Sequence, residues 1–283
     1  MTDTMQQTED GTMQWGLQSR LAQIIKPDTN RTVMLAIDHG YFQGPTTGLE
    51  DPGKAVEPLL PYCDALSPTK GILQYCLDPK SAPPIILRVS GGNSMARREE
   101  LSDEVLTCTA EEAVRLNAVG VSVSIYVGTE HQRQTIANLA RMADAAHNYG
   151  LVVLGISAVG ASLDELRQPG KEEELARYLA LASRIAAEHG ADISKTYYVP
   201  GHFEKVVGGC PVPIVLAGGK KVPERDALEF TYRAIQEGAS GVDMGRNIFQ
   251  SQHPAAMIQA VRAVVHDGKG PEEAYEMYQG LGG

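Results

Sequence analysis

The sequence lacks most of the signals that would place it outside the cytosol or on a nucleic acid. No apolar run reaches the roughly 18 residues needed to span a membrane. The opening stretch MTDTMQQTEDGTMQWG is polar and acidic, without the basic and apolar regions of a signal peptide. The four cysteines (Cys63, Cys76, Cys108, Cys210) show no CxxC spacing, which argues against a zinc or thioredoxin site and suits a reducing cytoplasmic setting. Basic residues do not dominate: the formal net charge is −10, so phosphate neutralisation along a nucleic acid is not expected. The seven histidines contain no HxxxH pair, so no metal site is expected, and no G-x-S-x-G elbow offers a serine nucleophile.

What the chain does have is 283 residues, 43% of them hydrophobic, enough for a large core. Short apolar runs alternate with helical stretches about every thirty residues. Eight candidate strands follow: VMLAIDHG (33–40), ALSPTK (65–70), PIILRVS (84–90), GVSVSIYVG (120–128), LVVLGISAVG (151–160), ADISKTYYV (191–199), VPIVLAGG (212–219) and GVDMGRN (241–247). Their near-continuous apolar character predicts parallel strands buried on both faces. Helices are expected at 130–148, 172–189, 223–237 and 255–266. This alternation predicts an α/β fold, a single (β/α)₈ TIM barrel over residues 14–283. An open doubly wound sheet is the alternative architecture. Residues 1–13 read as a disordered lead-in. Trp15 to Ile25 reads as an amphipathic helix, with Trp15, Leu17, Leu21, Ile24 and Ile25 on the apolar side, plugging one barrel end.

Polar residues collect where the strands end, the rim on which barrels build active sites. Lys195 stands inside the sixth strand and shares its face with Ile193, Tyr197 and Val199. A buried ammonium is costly, and one response is loss of the proton. A neutral amine is what attack on a carbonyl requires, so Lys195 is the candidate Schiff-base residue. The competing reading is a structural ion pair with Asp38 or Asp243. Lys70, at the end of strand two, is a rival amine, more solvated and so a poorer nucleophile.

The loops after strands seven and eight, AGGKK (217–221) and GVDMGRN, are where barrels often bind phosphate with a helix N-terminus. Gly218, Gly219 and Gly245 let backbone N–H groups approach an anion, Arg246 can grip it bidentately, and Lys220 or Lys221 can add a charge. Asp38 can orient the lysine or shuttle protons; a cap or ion pair is its structural alternative. His39 and Tyr126 are further acid–base candidates, although either can simply pack at the rim. His202, just after strand six, is the one other histidine near the rim. A non-catalytic sugar-phosphate binding protein fits these loops as well.

The stretches VMLAIDHGYFQGPTTGLE, GVSVSIYVGTE, SKTYYV, CPVPIVLAGGKK and GASGVDMGRNIFQSQHP resemble the class I aldolase family, which contains bacterial and archaeal-type fructose-bisphosphate aldolases. The resemblance runs from Trp15 onward. It implies a Schiff-base lysine at Lys195, a strand-one aspartate at Asp38, and phosphate loops at Gly218-Gly219 and Gly245-Arg246. Within the family the similarity is to thiolase-like members. It therefore implies acetyl transfer from a phosphorylated dione of autoinducer-2 breakdown to coenzyme A, giving dihydroxyacetone phosphate and acetyl-CoA, in pentamer-based rings or decamers. The aromatic pair with a tyrosine that the fructose-bisphosphate aldolases carry after strand five is missing from LGISAVG. That departure weighs against plain aldol cleavage, the alternative activity.

Overall fold

A computed structural model describes residues 11–157 and 166–283, with the backbone alone for 11–14. All eight expected strands form. They are β1 (Thr32–Ala36), β2 (Ala65–Ser67), β3 (Ile86–Arg88), β4 (Gly120–Ile125), β5 (Val152–Ser157), β6 (Ile193–Thr196), β7 (Ile214–Ala217) and β8 (Gly241–Met244). All pairings between them are parallel, in the order β2-β1-β8-β7-β6-β5-β4-β3. Bridges Leu66–Ile85 and Thr69–Arg88 join the two outer strands and close the circle. The chain is therefore a barrel, not an open sheet. The expected strand residues 158–160 lie outside the described residues, as does the lead-in from 1 to 10.

Each strand divides its side chains by parity. Val33, Leu35, Val121, Val123, Val153 and Leu216 point outward into the layer shared with the helices. Met34, Ala65, Ile86, Val152, Leu154, Ile193 and Val215 point inward and fill the lower barrel. The helix Gly11–Ile24 caps that lower end through Leu17, Leu21 and Ile24. Trp15 does not join them and is 71% exposed. Nine residues separate it from Ile24, and nine steps of 100° put it on the opposite side of the helix.

The helices Gln132–His147, Glu172–Glu188, Glu224–Gln236 and Pro254–His266 stand within two residues of the expected spans. Among the elements not foreseen, a short hairpin bears on the site. Ser90–Gly91 pairs antiparallel with Val105–Leu106, folding the loop after β3 back over the barrel mouth.

Candidate active site

Above the apolar floor the inward positions turn polar. Lys195 stands two residues after Ile193, Arg88 two after Ile86, and Asp243 two after Gly241, so pleat parity alone aims all three into the barrel. Together with Asp38, His39, Tyr126, Tyr197, Gly218, Gly219, Gly245 and Arg246 they line a cavity of about 250 Å³ at the C-terminal ends of the strands. Ser124, Asn93, Ile156 and Ser157 complete much of its wall.

Lys195 Nζ lies 2.7 Å from Asp243 Oδ2, with the lysine side chain 12% exposed and the aspartate 1%. The ion pair set against catalysis as a competing reading is thus formed, but inside the cavity rather than remote from it. Asp243 Oδ1 is buried without a hydrogen-bond partner. Burial pushes the Asp243 carboxyl up from its ordinary range, only partly opposed by the nearby lysine. Tyr197 shares the cavity-facing side of Lys195 as expected; Val199 does not. The strand ends at Thr196, and Val199 packs in the outer layer.

The sequence reasoning missed a buried polar cluster. Arg88 contacts Asp38 Oδ2 at 3.3 Å and Glu104 Oε1 and Oε2 at 2.8 and 2.9 Å. The phenols of Tyr41 and Tyr126 donate to Glu104 Oε1 at 2.6 and 2.8 Å, and Ser90 donates to Oε2 at 2.6 Å. Glu104 is 0% exposed. Arg88 was findable: an arginine within PIILRVS shares the parity of Ile86, the same signal that marks Lys195. Glu104 was not, because it sits on the folded-over loop, where no periodicity reports burial.

This cluster sets the charge of the site. Burial by itself would raise the Asp38 carboxyl, but Arg88, with His39 and Lys195 behind it, outweighs burial and holds it below the ordinary range. Asp38 therefore remains a carboxylate. Burial raises the Tyr126 phenol, and the Glu104 carboxylate adds to that, so Tyr126 stays protonated. Burial pushes His39 down to about 4, against the pull of Asp38, which leaves it a neutral imidazole at pH 7. Its ring meets Phe249 edge-on at 5.4 Å, and its Nδ1 has no hydrogen-bond partner, Asp38 Oδ1 lying 4.0 Å away.

Gly218, Gly219, Gly245 and Arg246 border the same cavity. Gly219 has φ +70°, a conformation that suits glycine. A Cβ on Gly245 would lie 2.4 Å from both Ala36 O and a carbon of His39. Asn247 ties the two loops together: its Nδ2 donates to Gly218 O at 2.6 Å and its Oδ1 accepts from Val222 N at 2.9 Å. Arg246 is half-buried, its Nε is unpartnered, and burial disfavours its charge. A buried cation lacking a carboxylate among the described residues is suited to a bound anion.

Four expected contributors stand apart, Lys220 among them, which does not border this cavity. Lys221 turns away from the cavity, bonding Val222 O at 2.5 Å and Glu224 Oε1 at 2.9 Å at the start of the next helix. That helix begins only at Glu224, and the one after β8 is a single turn, Arg246–Phe249, so glycine N–H groups and Arg246 border the cavity without a long helix. Lys70 pairs with Glu112 at 3.0 Å, and neither it nor His202 borders the cavity.

A family model for the DeoC/LacD family aldolases matches residues 32–251. The 3-hydroxy-5-phosphonooxypentane-2,4-dione thiolase of Yersinia pseudotuberculosis is 52% identical over 268 residues, covering 95% of this chain and 88% of that protein. An archaeal fructose-1,6-bisphosphate aldolase, solved with its catalytic lysine covalently bound to a carbinolamine intermediate, is 27% identical with a TM-score of 0.74, over 88% of this chain and 99% of its own. A fructose-bisphosphate aldolase from Slackia heliotrinireducens shares the fold at a TM-score of 0.80 and 18% identity, over 99% and 96% of the two chains. The chain belongs to the DeoC/LacD family of aldolases.

Proposed function

We propose that this protein is a Schiff-base thiolase that transfers the acetyl group of 3-hydroxy-5-phosphonooxypentane-2,4-dione to coenzyme A, giving dihydroxyacetone phosphate and acetyl-CoA. The observation that carries the reading is Lys195 beside Asp243 in a cavity also lined by Arg246, whose Nε has no hydrogen-bond partner. The 52% identity to the Yersinia thiolase supplies the choice of substrate.

The chemistry follows from the arrangement. The substrate phosphate sits against Arg246 and the glycine N–H groups, as a charge-assisted bidentate contact. Asp243, raised toward protonation by burial, takes a proton from Lys195, and the freed amine attacks the ketone next to the phosphate-bearing carbon. Loss of water gives an iminium, whose positive charge the Asp38 carboxylate faces across the cavity. Thiolate adds to the methyl-ketone carbon. The bond from that carbon to the hydroxyl-bearing carbon breaks, and its electron pair enters the iminium to form an enamine. The enamine takes a proton at the hydroxyl-bearing carbon, and water releases dihydroxyacetone phosphate from Lys195. Tyr126 and Asp38, which line the same cavity, move these protons.

Ile156 and Ser157 line the cavity at the end of β5, and the stretch LGISAVG that contains them carries no tyrosine. This favours the thiolase over cleavage of fructose bisphosphate. The same reading places the enzyme in the cytoplasm, in phosphorylated autoinducer-2 breakdown, as a pentamer-based ring or decamer with no metal. An assay with the phosphorylated dione tests it. Acetyl-CoA should appear only when coenzyme A is added, and EDTA should not inhibit. Cleavage of fructose bisphosphate without thiol, and none of the dione, would replace the reading with the aldolase.

A further inference from the structure

A second cavity, about 540 Å³, adjoins the first on the outer side of the loop after β7. The two share Tyr197, Ala217, Gly218 and Gly219 as a common wall. In the thiolase reading the five-carbon phosphorylated dione takes the inner cavity, which leaves the outer one for another ligand. Its volume is that of an ordinary small-molecule site, which spans about 300–1,000 Å³. Its lining is mixed in a particular way. Phe230, Val222 and the ring of Tyr198 give an apolar face, the Tyr198 hydroxyl being turned to Glu237 at 2.7 Å. Arg167 and Lys220 border it without an ion-pair partner among the described residues; Asp226 borders it too, and Arg233 is occupied by Glu229. Arg167 lies over the Tyr197 ring at 4.2 Å, at the junction of the two cavities. Gly219 lines both cavities, and a Cβ there would meet nothing closer than the Tyr197 ring at 3.9 Å.

We propose that this outer cavity is the site of the acyl acceptor. It takes a thiol on a long arm that ends in a phosphorylated nucleotide, as in coenzyme A. Arg167 and Lys220 meet the phosphates, the apolar face receives the arm or the base, and the sulfur passes Gly219 to reach the methyl-ketone carbon, two bonds from the iminium carbon held by Lys195. There the C–S bond forms, the acetyl C–C bond breaks into the iminium, and the proton lost by the thiol is balanced by the one gained at the hydroxyl-bearing carbon. The proposal rests on the thiolase reading.

The test uses the full chain with Lys220→Glu and Phe230→Ala, the dione, and two thiols, coenzyme A and pantetheine. Lys220→Glu should raise the KM for coenzyme A about tenfold, the effect of losing one charge-assisted phosphate contact. It should leave the KM for pantetheine, which has no phosphate, and the KM for the dione unchanged. Phe230→Ala should raise the KM for coenzyme A without changing that for the dione. The borohydride adduct on Lys195 forms without thiol, and its normal yield in both variants shows that the barrel is intact. An unchanged KM for coenzyme A in both variants would overturn this site while leaving the thiolase standing. Absence of any thiol-dependent acetyl transfer by the unaltered chain would remove the thiolase reading and this site together.

Discussion

The ammonium of Lys195 and the carboxylate of Asp243 meet at 2.7 Å across β7, which runs between their strands. Inward residues of alternate strands share a layer in such a barrel, and these two occupy one. Asp243 stands within hydrogen-bond reach of the Lys195 nitrogen, and burial raises its carboxyl, so it is placed to accept the lysine proton.

Borohydride reduction in the presence of the dione should therefore attach the substrate to Lys195, read by peptide mass spectrometry. Lys195→Arg should give no adduct. Asp243→Asn should keep the amine but slow adduct formation by about 10²-fold, the usual scale of a lost acid–base group. An adduct on another lysine, or trapping by Asp243→Asn at the native rate, would contradict these roles.

Arg246→Ala should weaken the phosphorylated dione by roughly 10- to 100-fold, corresponding to about 1.5–3 kcal/mol for a hydrogen bond to a charged group. The dephosphorylated compound should be unaffected. Steady-state KM values for both compounds check this, and equal weakening of the two would take Arg246 out of the phosphate site.

Arg88→Met should leave Glu104 as a buried carboxylate without its cation. The expected loss is about 3–5 kcal/mol, a fall in Tm on the order of 10 °C. Adding Glu104→Gln should recover part of it, since the two changes act on one network. Thermal unfolding of the three variants measures the coupling. Additive losses would mean that the two side chains do not depend on each other.

His39 carries a pH signature. Its folded value, about 4, lies below the ordinary 6.5, so the unfolded chain binds the proton first as pH falls. Its contribution is complete above about pH 6.5 and declines toward pH 4, where about 3 kcal/mol is lost. His39→Phe keeps an aromatic against Phe249 and removes the titration. The stability gap between the native chain and this variant should shift by that amount between pH 7 and pH 4 in denaturant unfolding. A gap independent of pH would show that His39 titrates normally.

Much of the barrel was legible because one physical rule repeats along it. A strand buried on both faces must be apolar almost throughout, so eight short Val-, Ile- and Leu-rich runs could be placed, and a lysine within one of them stood out. The glycines of the loops after β7 and β8 were legible for a related reason: Gly219 needs a positive φ and Gly245 has no room for a Cβ.

The chain's own order thus determined the strands, their inward and outward faces, and the barrel level at which Lys195 stands, since pleat and parity are local. Folding alone decided the rest. Glu104 reaches Arg88 only because a loop folds back over the barrel mouth, Lys221 turns to a carboxylate on the next helix, and Asp243 becomes the partner of Lys195 because barrel closure sets β8 one strand beyond β7. Such contacts join residues 16 to 48 positions apart or depend on a side-chain rotation, and no local periodicity carries that information.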